Sequence, residues 1–457
     1  MKNVFLSPAI LSLLLLSACG GSGGSGDNTF NDSYIQFYNG SANSATTLMA
    51  EVDGNILGSA TYGDATSLIT GLDNGELELE FYRIDADDQE VTVEEMTVDL
   101  KNGDKSLVIL SGDYEDPSFI EYTYSREELE DHFRLFATSV IANGQSYDLY
   151  MSEAGEPFSA ANLLGAVTYQ ELDEHEYWDG DSDSDDFDEG EYIIYLTESG
   201  STEPFFESAT ISFAFDTEYV LALRTTSGAI QDNVVVDLII NSSSVANFAD
   251  DDATAQYRIY NSLDDSSSIN LTLAGNDDNT EQELNLSANE LSDFSEIEFG
   301  DYRLSAAIEG DDSTVFNNRL ITLNQGESKA VVLYRDADDA LTAISFEESN
   351  LPQVFDHQIQ IVNLAPDFFD IDFYFVRKDE TIESAEYLVA GLDYEESRSI
   401  TLPSDFYELI AVFDDSNDTQ VLLDRTELLG INEEVNYIIT VEKTDDSQTG
   451  FEISVLY

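Results

Sequence analysis

Apolar residues in this chain recur at every second position over short runs, and long stretches of 3.6-residue period are scarce. In Gly75-Glu76-Leu77-Glu78-Leu79-Glu80-Phe81, the residues Leu77, Leu79 and Phe81 alternate with glutamates. A period of two sends one row of side chains into a core and the other into water, the mark of a half-buried strand. Similar runs, separated by Gly, Asp, Asn and Ser, follow one another from residue 33 onward. Arg126–His132 offers at most a short helical linker.

The runs also repeat in order. Four segments open with a related strand: Tyr34-Ile35-Gln36-Phe37-Tyr38-Asn39, Phe133-Arg134-Leu135-Phe136-Ala137, Tyr257-Arg258-Ile259-Tyr260-Asn261 and Gln358-Ile359-Gln360-Ile361-Val362-Asn363. Partway through each segment a turn leads into a second strand, at Gly75, Gly190, Gly300 and Asp405. Glycine supplies the positive φ that such turns require. A third strand follows, at Leu107–Leu110, Tyr219–Leu223, Val331–Tyr334 and Tyr437–Val441, and one more closes each unit. Many short strands at this spacing predict an all-β chain of tandem Ig-like β-sandwich domains. With small contacts between neighbours, four such domains form an elongated rod. The expected units are residues 33–131, 132–254, 255–356 and 357–457, the second carrying an acidic insertion near 171–191.

Ahead of the repeats, Lys2 and an apolar run from Val4 to Leu16 lead to Leu16-Ser17-Ala18-Cys19 and then a Gly/Ser stretch. The run is short for a bilayer span, which takes about 20 residues, and suits a signal peptide. The order of these residues resembles a bacterial lipoprotein signal. The resemblance implies a signal peptide over 1–18, a lipidated (palmitate-bearing) Cys19 and a flexible tether over 19–32. Cys19 is the one cysteine of the chain, so no disulfide forms within it. Gly20 stands where Asp would signal inner-membrane retention, which by the same resemblance favours an outer membrane lipoprotein, facing periplasm or cell surface.

A further resemblance lies in the fourth unit. Ile359-Gln360-Ile361-Val362-Asn363-Leu364-Ala365-Pro366-Asp367, then Asp370-Ile371-Asp372-Phe373-Tyr374-Phe375, is similar to the opening of bacterial domain-of-unknown-function family 4397. Leu402-Pro403 ahead of Tyr407 is similar to a later segment of that family. Asn363 replaces the frequent histidine, and the other three units lack Pro-Asp. The resemblance implies an extracytoplasmic, Ig-like repeat domain and no established activity.

Composition changes the picture through charge. Hydrophobic residues make up 42% of the chain, enough for packed cores. The 94 Asp+Glu against 17 Lys+Arg give a net charge of −77. Nucleic acid is thereby excluded as a direct partner, because its binding needs cations to displace counterions. Anionic headgroups are repelled as well, so the membrane is reached through the lipid anchor.

Candidate chemistry concentrates in Glu171–Glu191. Asp181, Asp183 and Asp185 alternate as oxygen ligands for Ca²⁺ do, although Asp186 and Tyr192 occupy the places of the turn glycine and the last glutamate of a calcium loop. Asp179, Asp186 and Asp188 add carboxylates, and Trp178 with Tyr177 offers an aromatic face for a sugar or a plug for the core. The Gly20–Gly24 match to G-x-S-x-G lacks the strand and helix that motif needs. His132, His175 and His357 lie in linkers or the insertion, without metal-ligand spacing. The expectation is a non-enzymatic lipoprotein without a cofactor, displaying its domains to an envelope or cell-surface protein or glycan. The alternative is a calcium- or carbohydrate-binding module in the second unit.

So large a like charge opposes the compact state through self-repulsion. Salt shrinks the screening length from about 10 Å at 0.1 M to about 3 Å at 1 M. The melting temperature is therefore expected to climb as NaCl is raised over that range; a fall would contradict the self-repulsion argument.

Overall fold

The computed structural model describes residues 32–457 apart from 43–44, 88, 114–115, 143, 179–185, 264–266, 276–280, 311–313, 416–418 and 446. The chain is all-β: its described residues form 38 strands and one short 3-10 turn at Phe158–Ala160. The strands make tandem β-sandwiches. Arg126–Asp131 holds no helix. Its backbone is instead tied back to unit 1 by Arg126 N–H on the Gly103 carbonyl (2.7 Å), and the Arg126 side chain reaches Glu218 of unit 2 (3.1 Å).

Each sandwich has one mixed and one antiparallel sheet. In the mixed sheet the opening strand runs parallel to the third-feature strand: Ser33–Asn39 beside Asp104–Gly112, His132–Ser139 beside Glu218–Thr225, Ala255–Asn261 beside Ser328–Arg335, and Asp356–Asn363 beside Ile438–Lys443. The closing strand extends that sheet, and the chain between them builds the antiparallel sheet around the turn strand, such as Gly75–Ile84 in unit 1. All four units share this strand order. In unit 1, Ile35, Phe37, Val108 and Leu110 of one sheet meet Met49, Leu79, Phe81 and Val98 of the other. Equivalent cores fill the other three units.

A buried polar side chain ends three of the opening strands. Asn39, Asn261 and Asn363 are fully buried. Each donates from Nδ2 to loop carbonyls, Asn39 to Ala45 and Ala60, Asn261 to Leu286 and Ser287, Asn363 to Phe368 and Leu392. Each also accepts the N–H two residues on. The amide thus satisfies the loop that crosses to the second sheet, which could not otherwise be buried cheaply. In unit 2 the same place holds Ser139, whose hydroxyl keeps the i+2 bond to Ile141 N–H (3.2 Å). The turn strands carry a second device. The hydroxyls of Tyr192, Tyr302 and Tyr407 donate to the carbonyls of Asp188, Glu298 and Pro403, four residues back.

Where a rod with small contacts was expected, the mixed sheets of neighbouring units pack outer face to outer face. Tyr38, Leu107, Ile109 and Tyr124 of unit 1 form one cluster with Phe136, Val220, Ala222 and Ile239 of unit 2. Tyr260, Val332, Tyr334 and Phe346 of unit 3 do the same with Val362, Leu364 and Ile438 of unit 4. The chain is therefore organised as two fused pairs.

Each fused face buries a titratable group whose pKa moves to about 7. Lys105 at the first junction donates Nζ to Asn241 Oδ1 (2.9 Å), and burial pulls its pKa from the usual 10.5 to about 7, against Glu218 and alongside Arg126. Glu442 at the second junction accepts from Tyr260 (3.0 Å), Ser454 (2.5 Å) and Thr440 (3.1 Å), and burial lifts it from 4.5 to about 7. The signs are opposite. Glu442 in the folded chain keeps a proton that the unfolded chain releases, so its contribution is full below about pH 4.5 and is lost as pH rises through 7. Lys105 contributes fully above about 10.5 and loses that contribution as pH falls through 7. Glu442→Gln is expected to flatten the decline in melting temperature between pH 5 and 8 for the second pair. Lys105→Met is expected to flatten the rise between pH 7 and 10 for the first. Slopes unchanged by either substitution would contradict these assignments.

Candidate functional site

The polar groups at the two junctions lead to a cavity between the units. Tyr38 and Tyr260 occupy equivalent places on their opening strands, and each donates its hydroxyl to a buried carboxylate of the next unit: Tyr38 to Asp237 (2.7 Å), Tyr260 to Glu442. Asp237, wholly buried, also receives Arg224 Nε (2.6 Å) and Asn247 Nδ2 (2.8 Å). Two places earlier on the strands, Gln36 donates to the carbonyls of Ile240 and Ser242, and Arg258 to that of Asn436 (2.9 Å). Arg258 further clasps Glu348 with two nitrogens, at 2.8 and 2.5 Å. Buried ion pairs persist only where such additional bonds complete them.

Arg224 and Asn247 of the first network and Glu348 of the second line one cavity of about 900 Å³. Its floor is the uncovered end of unit 2's mixed sheet, where Arg224, Val235 and Ala249 stand side by side in register. Unit 1 supplies a wall from Thr61 to Asp64, with Tyr62 hydrogen-bonded to the Thr225 carbonyl. Units 3 and 4 supply Gln325, Glu347 to Leu351, Gln358 and Gln360. The Ala229 N–H bond to Ser349 O (2.9 Å) and the Gln325 bonds to Asp250 O and Asp251 O join the two pairs across it. The cleft thus draws on all four units.

The residues singled out in the sequence lie elsewhere. Cys19, Asp181, Asp183, Asp185 and Asp179 fall outside the described residues. The edge strand that borders the acidic stretch is split into Asp173–His175 and Phe187–Asp188, both paired with the opening strand of unit 2. Trp178 is half-buried and stands edge-on to Phe187 and Tyr192, 6.1 Å from each, with Tyr177 at 4.6 Å. It packs against the unit 2 core.

The histidines are not linker residues. All three lie on strands, because their rings fit sheet positions with a local partner. His132 faces Asp188 (3.2 Å), His175 is buried on the edge strand, and His357 pairs with Ser404 Oγ (2.8 Å). Burial lowers the pKa of His357 to about 4, so it is neutral at physiological pH.

Three exposed carboxylates, Asp131, Glu189 and Asp216, have oxygens within 4.8 Å of one another beside the acidic stretch. A hydrogen bond to Asp216 and the neighbouring charges raise the pKa of Glu189. No helix among the described residues is long and apolar enough to cross a membrane.

No protein-family model matches the chain, and no curated protein does. The similarity of unit 4 to family 4397 therefore rests on its motifs alone. Among solved structures, a leucine-rich repeat protein from Bacteroides thetaiotaomicron aligns over 41% of this chain and 25% of its own, at 13% identity and a TM-score of 0.13. The chain thus spans about a quarter of that protein. A Bacteroides fragilis protein described as a candidate cell adhesion protein aligns over 42% of this chain and 84% of its own, at 13% identity and a TM-score of 0.12.

Proposed function

We propose that the chain is a non-catalytic outer-membrane lipoprotein, held by a lipidated Cys19 and presenting its four sandwiches as one interaction body for an envelope or cell-surface partner. The observation that carries this reading is the cleft. Four independent domains on a string would each offer separate loops, whereas here residues of all four line a single cavity of about 900 Å³. Such a volume is at the upper end of the roughly 300–1,000 Å³ common for binding sites. The fused sheet faces hold its walls in place, which lowers the ordering cost of binding. The lipoprotein-like signal, the Gly/Ser stretch after Cys19 and the similarity of unit 4 to an extracytoplasmic repeat family fit the same picture.

Two readouts on intact cells test this. Labelled palmitate is expected to enter the wild-type protein and to be lost from Cys19→Ser. Protease added outside unlysed cells is expected to release fragments of unit 4 if the partner is at the surface; digestion only after outer-membrane permeabilisation would place the partner in the periplasm. A wild-type protein that takes up no palmitate and fractionates away from membranes would contradict the proposal.

A further inference from the structure

The polar chemistry of the cleft is one-sided. Its lining includes six carboxylates, of Asp64, Asp232, Asp250, Asp252, Glu347 and Glu348, and a single Lys or Arg, Arg224. Arg224 is neutralised by Asp237 at 2.6 Å, and Glu348 by Arg258. The remaining five carboxylates face the cleft without a basic partner among its described residues.

Four of the lining amide side chains point the same way. Asn247 donates its Nδ2 to Asp237, Gln325 its Nε2 to the carbonyls of Asp250 and Asp251, Gln360 its Nε2 to that of Glu347 (3.1 Å), and Asn350 its Nδ2 to that of Gly326 (3.2 Å). An oxygen acceptor fixes which end of each amide is nitrogen. Each of these four amides thus spends at least one N–H on the protein, Gln325 both, and turns its nitrogen end toward the protein. Asn350 Oδ1 is buried with no protein partner. Beside the cleft, burial and the carboxylates of Asp251, Asp252 and Asp250 raise the pKa of Glu207, a local sign of the negative field.

A cavity with five carboxylates lacking a basic partner calls for a cationic ligand that brings its own N–H groups. A bare metal ion is the less suitable occupant, since among the described residues the three carboxylates that converge within 4.8 Å are Asp131, Glu189 and Asp216, none of which lines the cleft. Spread charges suit spread cations. Val235, Ala249, Ile230, Leu351 and the partly exposed ring of Phe205 break up the polar lining, as a ligand with apolar segments between its charges requires.

We propose that the cleft binds an extended peptide segment bearing Lys or Arg side chains, their ammonium or guanidinium groups meeting the Asp232, Asp250 and Asp252 carboxylates and the amide oxygens. The proposal rests on the interaction reading above and names its partner class.

Isothermal titration of the full chain in 0.15 M NaCl tests it, with blocked tetralysine, spermine and CaCl₂ as separate probes. At that salt, distant surface charges are largely screened. Tetralysine is expected to bind saturably at one site. The double variant Asp232→Asn with Asp252→Asn is expected to weaken it at least about tenfold, as removal of charges facing a bound cation does. Neither side chain makes a hydrogen bond that holds the fold, and Asn tolerates the positive φ of residue 232 (65°). The control Glu94→Gln with Glu95→Gln removes the same charge from an exposed strand of unit 1 and is expected to change affinity less than twofold. Equal weakening by both double variants, or unsaturable binding, would overturn the proposal in favour of diffuse charge attraction. Spermine binding as tightly as tetralysine with the same loss in the cleft variant would overturn the peptide assignment, and so would displacement of tetralysine by millimolar CaCl₂. Palmitate labelling that stays normal while the peptide fails to bind would sink this inference alone.

Discussion

The structure depends on covering a parallel strand pair on both faces. Strands in parallel contact are nearly always buried on each side, and here the opening strand Ser33–Asn39 has every residue buried. One face is covered within the sandwich by the antiparallel sheet. The other face remains apolar, with Tyr38, Leu107 and Ile109 in unit 1 and Tyr260, Val332 and Tyr334 in unit 3. At about 25 cal/mol per Å² of apolar area removed from water, leaving those faces wet would be costly. Neighbouring units solve the problem by covering one another. The pairing of units follows from the strand topology of each.

A chain with net charge −77 must build these junctions from very few cations. It places them selectively at or beside the fused faces: Lys105 and Arg126 reach an amide and a carboxylate of the next unit, and Arg224 and Arg258 pair with carboxylates of their own units. The acid majority is left on solvent-facing rows and around the cleft. Cohesion inside the pairs and a negative field in the space between them thus come from one distribution of charge.

The fold class was legible because Leu77, Leu79 and Phe81 in the turn strand alternate with glutamates and the order of strands recurs. The pairing of units was also encoded, in openers like Tyr34-Ile35-Gln36-Phe37-Tyr38-Asn39 that do not alternate. A strand with apolar or aromatic residues on both sides needs two covers, but periodicity cannot say what the second cover is. Asn39, Asn261 and Asn363 recur visibly, yet their role required knowing where the loop carbonyls lie. The histidines were misread because a polar ring in an acidic or boundary stretch suggests a loop, while His175 and His357 are buried strand residues. The cleft was the least legible feature. Its walls come from residues hundreds of positions apart, such as Tyr62 and Gln360, and no local motif announces it.

Units 1 and 2 then form one cooperative body distinct from that of units 3 and 4. Val220 tests it, since its side chain faces the junction and belongs to that cluster rather than to the unit 2 core. Hydrogen–deuterium exchange should be compared between wild type and Val220→Asp. Faster exchange is expected in both Asp104–Gly112 of unit 1 and Glu218–Thr225 of unit 2, with Ser328–Arg335 and Ile438–Lys443 unchanged. Loss of protection confined to unit 2 would contradict it.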